Sequence, residues 1–361
     1  MNTPRILVLT AAGKTGLPVA LQLLNEGFPV TAFVRREDAR SARLQALGAR
    51  IVVGSLTDIH DLRRAMPGVQ RAYFCTPMEP GALRAAAAFA TVAAEHHLES
   101  VVAMSQWLAS PHHRSLHTRE TWLGDQLLAR LPGTAVTTLN PGFFADNDMA
   151  GLPFAAQYGL LMLPYGAGRN APPSNEDMAR VAAEILARPA GHAEQTYRPT
   201  GPALLSPQDI AGILARVLGH RVAYVDVPFP IFARVARGVG LSDFVIAQYE
   251  QYVQDYQRDA FALGAPTDVV QRITGRAPED FETIARRYVA SVPEGTRRPA
   301  TQLRLLGKLT AWMLRPAPRT RPHLALGDVL DPDRLGLSAH SPDWQRSHTS
   351  ATALLASGAA D

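Results

Sequence analysis

Thr10-Ala11-Ala12-Gly13-Lys14-Thr15-Gly16 stands between an apolar run over 5–9 and a helical pattern over 17–24. A short apolar strand feeding a glycine turn that opens directly into a helix builds an anion site. The first-turn N–H groups lack intrahelical partners, and the helix dipole adds partial positive charge there. Glycine is needed at 13 and 16 because a Cβ would block an approaching pyrophosphate and hold the helix off the strand. The spacing has the form G-x-x-G-x-x-G, with Thr10 in the first place. The next apolar run, over 28–34, ends in Arg35-Arg36. In dinucleotide folds this strand end meets the adenosine ribose, where an acid favours a free 2′-OH and arginine favours a 2′-phosphate. Charge-assisted bonds from arginine to phosphate contribute roughly 1.5–3 kcal/mol each. The pair therefore argues for NADP(H) over NAD(H); the plainer alternative is a surface basic pair at a strand end.

Outward from this unit the alternation continues. Apolar segments over 50–53, 71–75, 100–104 and 135–139 read as strands, and 39–47, 58–66, 82–95 and 117–131 read as helices. Such alternation predicts right-handed βαβ units and an α/β, Rossmann-like, doubly wound parallel sheet, with ligands beyond the strand carboxyl ends. The cofactor-binding candidates are then Thr10, Ala12, Gly13, Lys14, Thr15, Gly16, Arg35, Arg36, Ser55, Leu56, Thr76, Pro77, Ser105, Gln106, Pro141 and Phe143. Three regions follow: a dinucleotide-binding domain over 1–150, a smaller substrate-facing domain over 151–295, and a C-terminal extension over 296–361. Within the second, 174–186, 206–218 and 278–289 read as helices and 221–227 as a strand.

The chain of 361 residues is 47% hydrophobic and 19% charged, in the range of globular proteins. A net charge of +4 gives no reason to expect nucleic acid as a partner. The single cysteine, Cys75, excludes an intrachain disulfide. No metal site is expected, since the pairs His96-His97 and His112-His113 would point about 100° apart on a helix. Gly13-Lys14-Thr15 imitates a P-loop ending, but Val8 stands where that loop needs glycine. The start shows no leader pattern and no apolar run reaches ~18 residues, so a cytoplasmic location is expected. From 297 to 321 seven cations occur with no acid between them: Arg297, Arg298, Arg304, Lys308, Arg315, Arg319 and Arg321. On a helix, Leu305, Leu306, Leu309, Trp312 and Met313 would form one face and Arg304, Lys308 and Arg315 another. Docking on the body, on a protein partner or in a homodimer is preferred to contact with a membrane surface. The final segment, rich in Ser, Asp, His and Pro, is expected to be partly disordered.

These residues resemble the NmrA-like branch of atypical short-chain dehydrogenase/reductases. The resemblance covers roughly residues 1–290. It rests on the glycine turn, Val34-Arg35-Arg36, Gly54-Ser55-Leu56-Thr57-Asp58, and Asn140-Pro141-Gly142-Phe143-Phe144 followed by Asp146-Asn147. The stretch His117-Thr118-Arg119-Glu120-Thr121-Trp122-Leu123 is similar to the family's helix over the nicotinamide side. Three positions depart from the pattern: Thr10 replaces a glycine, Ser55 stands where an aspartate often contacts adenine, and Asn140 stands where arginine usually precedes Pro-Gly. The resemblance implies either an NADPH-dependent reductase of quinones and related acceptors or a redox-sensing regulator that binds the dinucleotide without turnover.

Conventional short-chain dehydrogenases pair a tyrosine and a lysine four residues apart on a helix, with a serine ending the preceding strand; the lysine lowers the tyrosine pKa. Ser105 occupies the serine position, while His117 and Thr121 occupy the other two. No lysine occurs from 15 to 307, so that dyad is excluded. An electrophilic acceptor such as a quinone or activated enone needs little acid help and can be reduced chiefly by proximity. The catalytic candidates are His117, as proton donor, and Ser105. The substrate candidates are an aromatic wall of Trp107, Trp122 and Phe144 beside Phe143, with Arg119 as anion clamp. Tyr158 and Tyr165 would lie in a lid. The small-molecule reductase and the non-catalytic sensor remain the two expectations.

Overall fold

The computed structural model describes residues 3–324 and 335–357, with side chains described as far as 349. Its strands, in chain order, are β1 (Arg5–Val8), β2 (Val30–Val34), β3 (Arg50–Val53), β4 (Val69–Phe74), β5 (Ser100–Met104), β6 (Ala135–Leu139), β7 (Leu160–Leu163), β8 (Thr196–Tyr197) and β9 (Ala223–Asp226). Seven form one sheet in the order β3-β2-β1-β4-β5-β6-β8, every neighbouring pair parallel. Side chains alternate across β1, so Ile6 and Val8 enter the core on one face while Leu7 and Leu9 enter the core on the other. Burial on both faces explains why these strands read as unbroken apolar runs. Strand order reverses between β1 and its neighbours β2 and β4, which places the ligand crevice at the β1 turn.

The expected boundary at 150 is not where the dinucleotide-binding unit ends. Helix Asn175–Ala187 buries Met178, Val181, Ala182, Ile185 and Leu186 in the same core as β1 and β2, and β8 adds the seventh strand. The smaller unit is built around the parallel pair β7 and β9 and a second core containing Leu161, Leu163, Ile210, Leu214, Tyr249, Tyr256 and Ile284. Chain from 143 to 165 and again beyond 200 supplies most of it, with Trp107 and Leu108 added from the loop after β5.

The extension packs on the body. Helix Pro299–Met313 presses Trp312 against Gly238, where an added Cβ would fall 2.3 Å from the indole. The Tyr158 hydroxyl donates to the Gln302 carbonyl, so Tyr158 anchors this helix and forms no lid. Further along, the Gly336 N–H donates to the His112 carbonyl (2.8 Å) and the Arg114 N–H to the Gly336 carbonyl (2.9 Å). Trp344 is 5% exposed and its indole N–H donates to the Trp107 carbonyl at 3.1 Å. The segment expected to be disordered is therefore docked from 335 to 348; 325–334 and 358–361 lie outside the described residues. A buried indole and main-chain pairing outweigh a polar composition.

Two glycines separate tight packing from open space. A Cβ at Gly16 would sit 2.3 Å from the Thr10 carbonyl oxygen, backbone against backbone, whereas one at Gly212 would meet nothing within 4 Å. Gly16→Ala is expected to lower unfolding free energy by roughly 1–3 kcal/mol. Gly212→Ala, inside helix Pro207–Leu218, should raise it by up to about 1 kcal/mol. Urea titrations of both variants check the contrast.

Candidate cofactor cleft and active site

Thr10, at the end of β1, adopts φ 50°, a left-handed conformation that a β-branched residue enters at a cost of roughly 1–3 kcal/mol. Its hydroxyl donates to the Leu9 carbonyl (2.7 Å) and lies 3.2 Å from the Cys75 carbonyl, which ties the turn to the end of β4. The Gly13 N–H donates back to the Thr10 carbonyl at 2.7 Å, closing the turn. Helix Gly16–Asn25 then starts with no side-chain cap on its N-cap residue Thr15. Among the described residues the N–H groups of Ala12, Lys14 and Thr15 have no backbone acceptor. These donors and the small side chains around them fit a dinucleotide pyrophosphate.

A cleft of about 520 Å³ extends from this turn, lined by Thr10, Ala12, Gly13, Arg35, Arg36, Ser55, Leu56, Thr76 and Pro77 among others. Residues scattered over the first 77 positions thus meet at one sheet edge. Arg35 and Arg36 are exposed at the rim, and Arg35 pairs with Glu79 at 3.0 Å. Arg40 and Arg84 line the same cleft and had no sequence signal, because neither follows a strand end. The Arg40 guanidinium beside Asp38 draws that carboxyl down to about 2, and Asp38 caps helix Ala39–Ala46. Lys14 bonds Asp146 at 2.5 Å, fastening the turn to the loop after β6.

The strand ends of β5 and β6 carry a second cluster. The Ser105 hydroxyl donates to the Asp125 carboxylate, and Asn140 Nδ2 lies 3.5 Å from that hydroxyl while donating to the Gln106 carbonyl at 2.9 Å. Gln106 Nε2 donates to the Thr121 hydroxyl (3.0 Å); the Thr118 hydroxyl lies 3.2 Å from both Gln106 Oε1 and the Tyr252 hydroxyl. Burial pushes the Asp125 carboxyl up to about 7, with the Ser105 bond opposing it. Asp125 was missed by sequence reasoning, although the spacing His117, Thr121, Asp125 places all three on one helix face. On its other side Asp125 lines a cavity of about 590 Å³ together with Trp122, Asn140, Arg198, Trp344 and His348.

Several expected substrate residues lie elsewhere. Trp107 is 1% exposed, its indole bonded to the Ala260 carbonyl at 2.9 Å, and it packs edge-on against His348. Arg119 is turned inward, donating to the carbonyls of His113 (2.7 Å) and Arg114 (3.2 Å), so it is no anion clamp. Tyr165 is fully buried, stacked on Tyr256 with its hydroxyl 2.7 Å from that of Tyr249. Trp122 faces the Asp125 cavity, Phe144 packs against the sheet core, and Pro141 is buried beside them in the chain. The Phe143 ring meets Tyr165, Tyr249, Tyr256 and Phe261 inside the smaller unit, away from the cofactor cleft. His117 is buried, its Nδ1 without a partner, and desolvation lowers its pKa to about 4. An imidazole neutral at pH 7 is a far weaker acid than an imidazolium, which removes the reason for choosing it as the acid.

The Asp125 shift has a thermodynamic sign. A carboxyl whose folded pKa lies above its unfolded value stabilises the fold in acid and loses that contribution as pH rises toward 7. Stability of the wild type should therefore fall between pH ~4 and ~7, and Asp125→Asn should flatten that part of the profile. Thermal melts of both proteins across this range measure it; parallel profiles would contradict the buried-acid assignment.

Residues 10–189 match the protein family described as NAD(P)H-binding. Over 293 residues the chain is 28% identical to the NAD(P)H azoreductase of Xenophilus azovorans, covering 79% of this chain and 98% of that protein. Among solved structures, the NADPH-dependent quinone oxidoreductase QOR2 of Escherichia coli, complexed with NADPH, superposes with a TM-score of 0.68 at 21% identity; 78% of this chain and 99% of that one are covered. NmrA, a negative transcriptional regulator in complex with NADP, superposes with a TM-score of 0.64 at 17% identity over 87% of this chain and all of that one (100%). The glycine turn, the strand order and the family match over 10–189 make the chain a member of the NAD(P)H-binding family, with the fold that QOR2 and NmrA share.

Proposed function

We propose that the protein is an NADPH-dependent reductase of quinone-like or activated-enone small molecules. The observation that carries this reading is the Ser105–Asp125 pair, a serine just past the end of β5 bonded to a helix carboxyl poised near neutrality, on the strand next to β4, whose following residues Thr76 and Pro77 line the cofactor cleft. When bound, NADPH supplies a hydride to the acceptor. The chain's own part is to bind and to move a proton. The turn at 10–16 presents N–H groups to the pyrophosphate, and Arg35 and Arg36 face the 2′-phosphate side. The Ser105 hydroxyl donates its proton to the acceptor oxygen, and the Asp125 carboxyl returns one to Ser105 Oγ. Asn140 holds the Ser105 hydroxyl in place. This arrangement supplies an acid without tyrosine or lysine, and the pKa of Asp125 suits one working near neutral pH. A relative that reduces azo compounds and a neighbour that reduces quinones support the same acceptor class.

A second reading, a redox-sensing regulator, is favoured by two observations: no lysine occurs from 15 to 307, and the histidine in the tyrosine position is buried with its pKa lowered by desolvation. Steady-state assays with menadione and NADPH separate the two. Turnover supports the reductase; tight binding that discriminates NADP⁺ from NADPH, with no turnover, supports the sensor.

Two outcomes are expected. Arg35→Ala and Arg36→Ala should each weaken NADPH by roughly 10-fold or more in calorimetric titration while leaving NADH nearly unchanged. Equal losses for both cofactors would contradict the 2′-phosphate assignment. Wild-type kcat should fall as pH rises through about 7, the range in which Asp125 ionises, and Asp125→Asn should be slow with that descending limb absent.

A further inference from the structure

Helix Pro299–Met313 is apolar on two sides. Its inner side carries Thr301, Leu305, Leu309 and Trp312, with Leu305 5% exposed and Trp312 seated on Gly238. At ~100° per residue, Leu303, Leu306 and Leu314 fall on the opposite side. They are 75%, 52% and 82% exposed, the first and third being the most exposed large apolar side chains described. Val239, next to the Gly238 on which Trp312 rests, is 61% exposed. Between these two stripes lie Arg304, Lys308 and Arg315, all exposed. Arg297, Arg298, Arg319 and Arg321 extend the positive charge at both ends, with no acid from 297 to 321. The acids that touch this segment are already engaged: Glu294 with Arg304 (3.1 Å), Asp243 with Arg237 (3.4 Å) and Glu250 with Thr320.

We propose that the outward face of this helix docks the protein on an anionic lipid bilayer, with Leu303, Leu306 and Leu314 entering the interface and the flanking cations meeting lipid phosphates. An apolar stripe bordered by arginine and lysine is the pattern of a helix lying in the plane of a membrane surface. Exposed leucines and a net positive charge on one element, with Arg304 alone of Arg304, Lys308 and Arg315 paired to an acid (Glu294) among the described residues, fit that partner, because a bilayer offers negative headgroups above hydrocarbon in the same order. Docking of the inner face on the body fixes the helix in this orientation before any lipid is met, so no ordering cost remains at the membrane. Among the described residues no helix is long and apolar enough to cross a membrane, so the contact is peripheral. The inference is independent of which reaction, if any, the cleft carries out.

Co-sedimentation of the full chain with large vesicles tests it. Vesicles of phosphatidylcholine with about one-third phosphatidylglycerol should bind the protein roughly tenfold or more better than vesicles of phosphatidylcholine alone, and salt raised to ~0.5 M should abolish the difference. Replacing Leu303, Leu306 and Leu314 together by serine should bring binding down to the phosphatidylcholine level at an unchanged melting temperature, since these side chains contact little protein. Lys308→Glu with Arg315→Glu should do the same. Equal wild-type binding to both vesicle types would overturn the proposal, as would undiminished binding by the triple variant. So would light scattering that finds a wild-type dimer which ignores vesicles and which the triple variant cannot form.

Discussion

A single carbonyl oxygen organises the cofactor half of the molecule. The Thr10 backbone is bent into a left-handed conformation, and its C=O lies where a Cβ on Gly13 would reach 3.0 Å and one on Gly16 only 2.3 Å. The first helix can lie this close to β1 only because both positions lack a side chain. That closeness leaves the helix N-terminus open and directs it along the strand end. The Thr10 hydroxyl pays for the bend by bonding Leu9 and Cys75, so the strain is balanced across β1 and β4. A threonine in the place of a glycine thus substitutes hydrogen bonds for conformational freedom.

The loss of the tyrosine–lysine dyad has a matching structural answer. Where a lysine would stand on the helix Leu116–Leu128, Thr121 bonds Gln106, and one turn further Asp125 bonds Ser105. The strand-end serine therefore has a carboxyl partner on that helix face, the pair on which the proposed proton transfer rests. Asn140 Nδ2, 3.5 Å from the Ser105 hydroxyl, also bonds the Gln106 carbonyl, and the Gln106 side chain meets Thr118 and Thr121, so the serine stands beside a fixed hydrogen-bond network.

The first six strands and the turns between them were legible because a parallel sheet buried on both faces writes each strand as an apolar run. β8 was not, since two residues between loops carry no period. Arg35, Arg36, Ser55 and Thr76 could be placed at one edge from strand ends alone, whereas Arg40 and Arg84 reach the cleft from inside or near helices. Arg119 lies two residues from His117, roughly opposite it on the helix, and so turns toward other carbonyls. Trp107 and Tyr165 read as site aromatics because their partners, Trp344 and Tyr249 with Tyr256, stand far along the chain. The order in the extension was hidden for the same reason: its anchors are single residues set in a polar context.

The contacts of Gly336, Ser338 and Trp344 with residues 107–114 join positions more than 200 apart; the Trp344–Trp107 bond spans 237 residues. During synthesis the loop after β5 emerges long before the segment that covers it. The Rossmann sheet can assemble on the ribosome, while the wall formed by Trp107 and its surroundings stays uncovered until almost the whole chain has been released. Covering of that wall has to await residues 336–344, well after the last strand of the sheet, Thr196–Tyr197, has emerged.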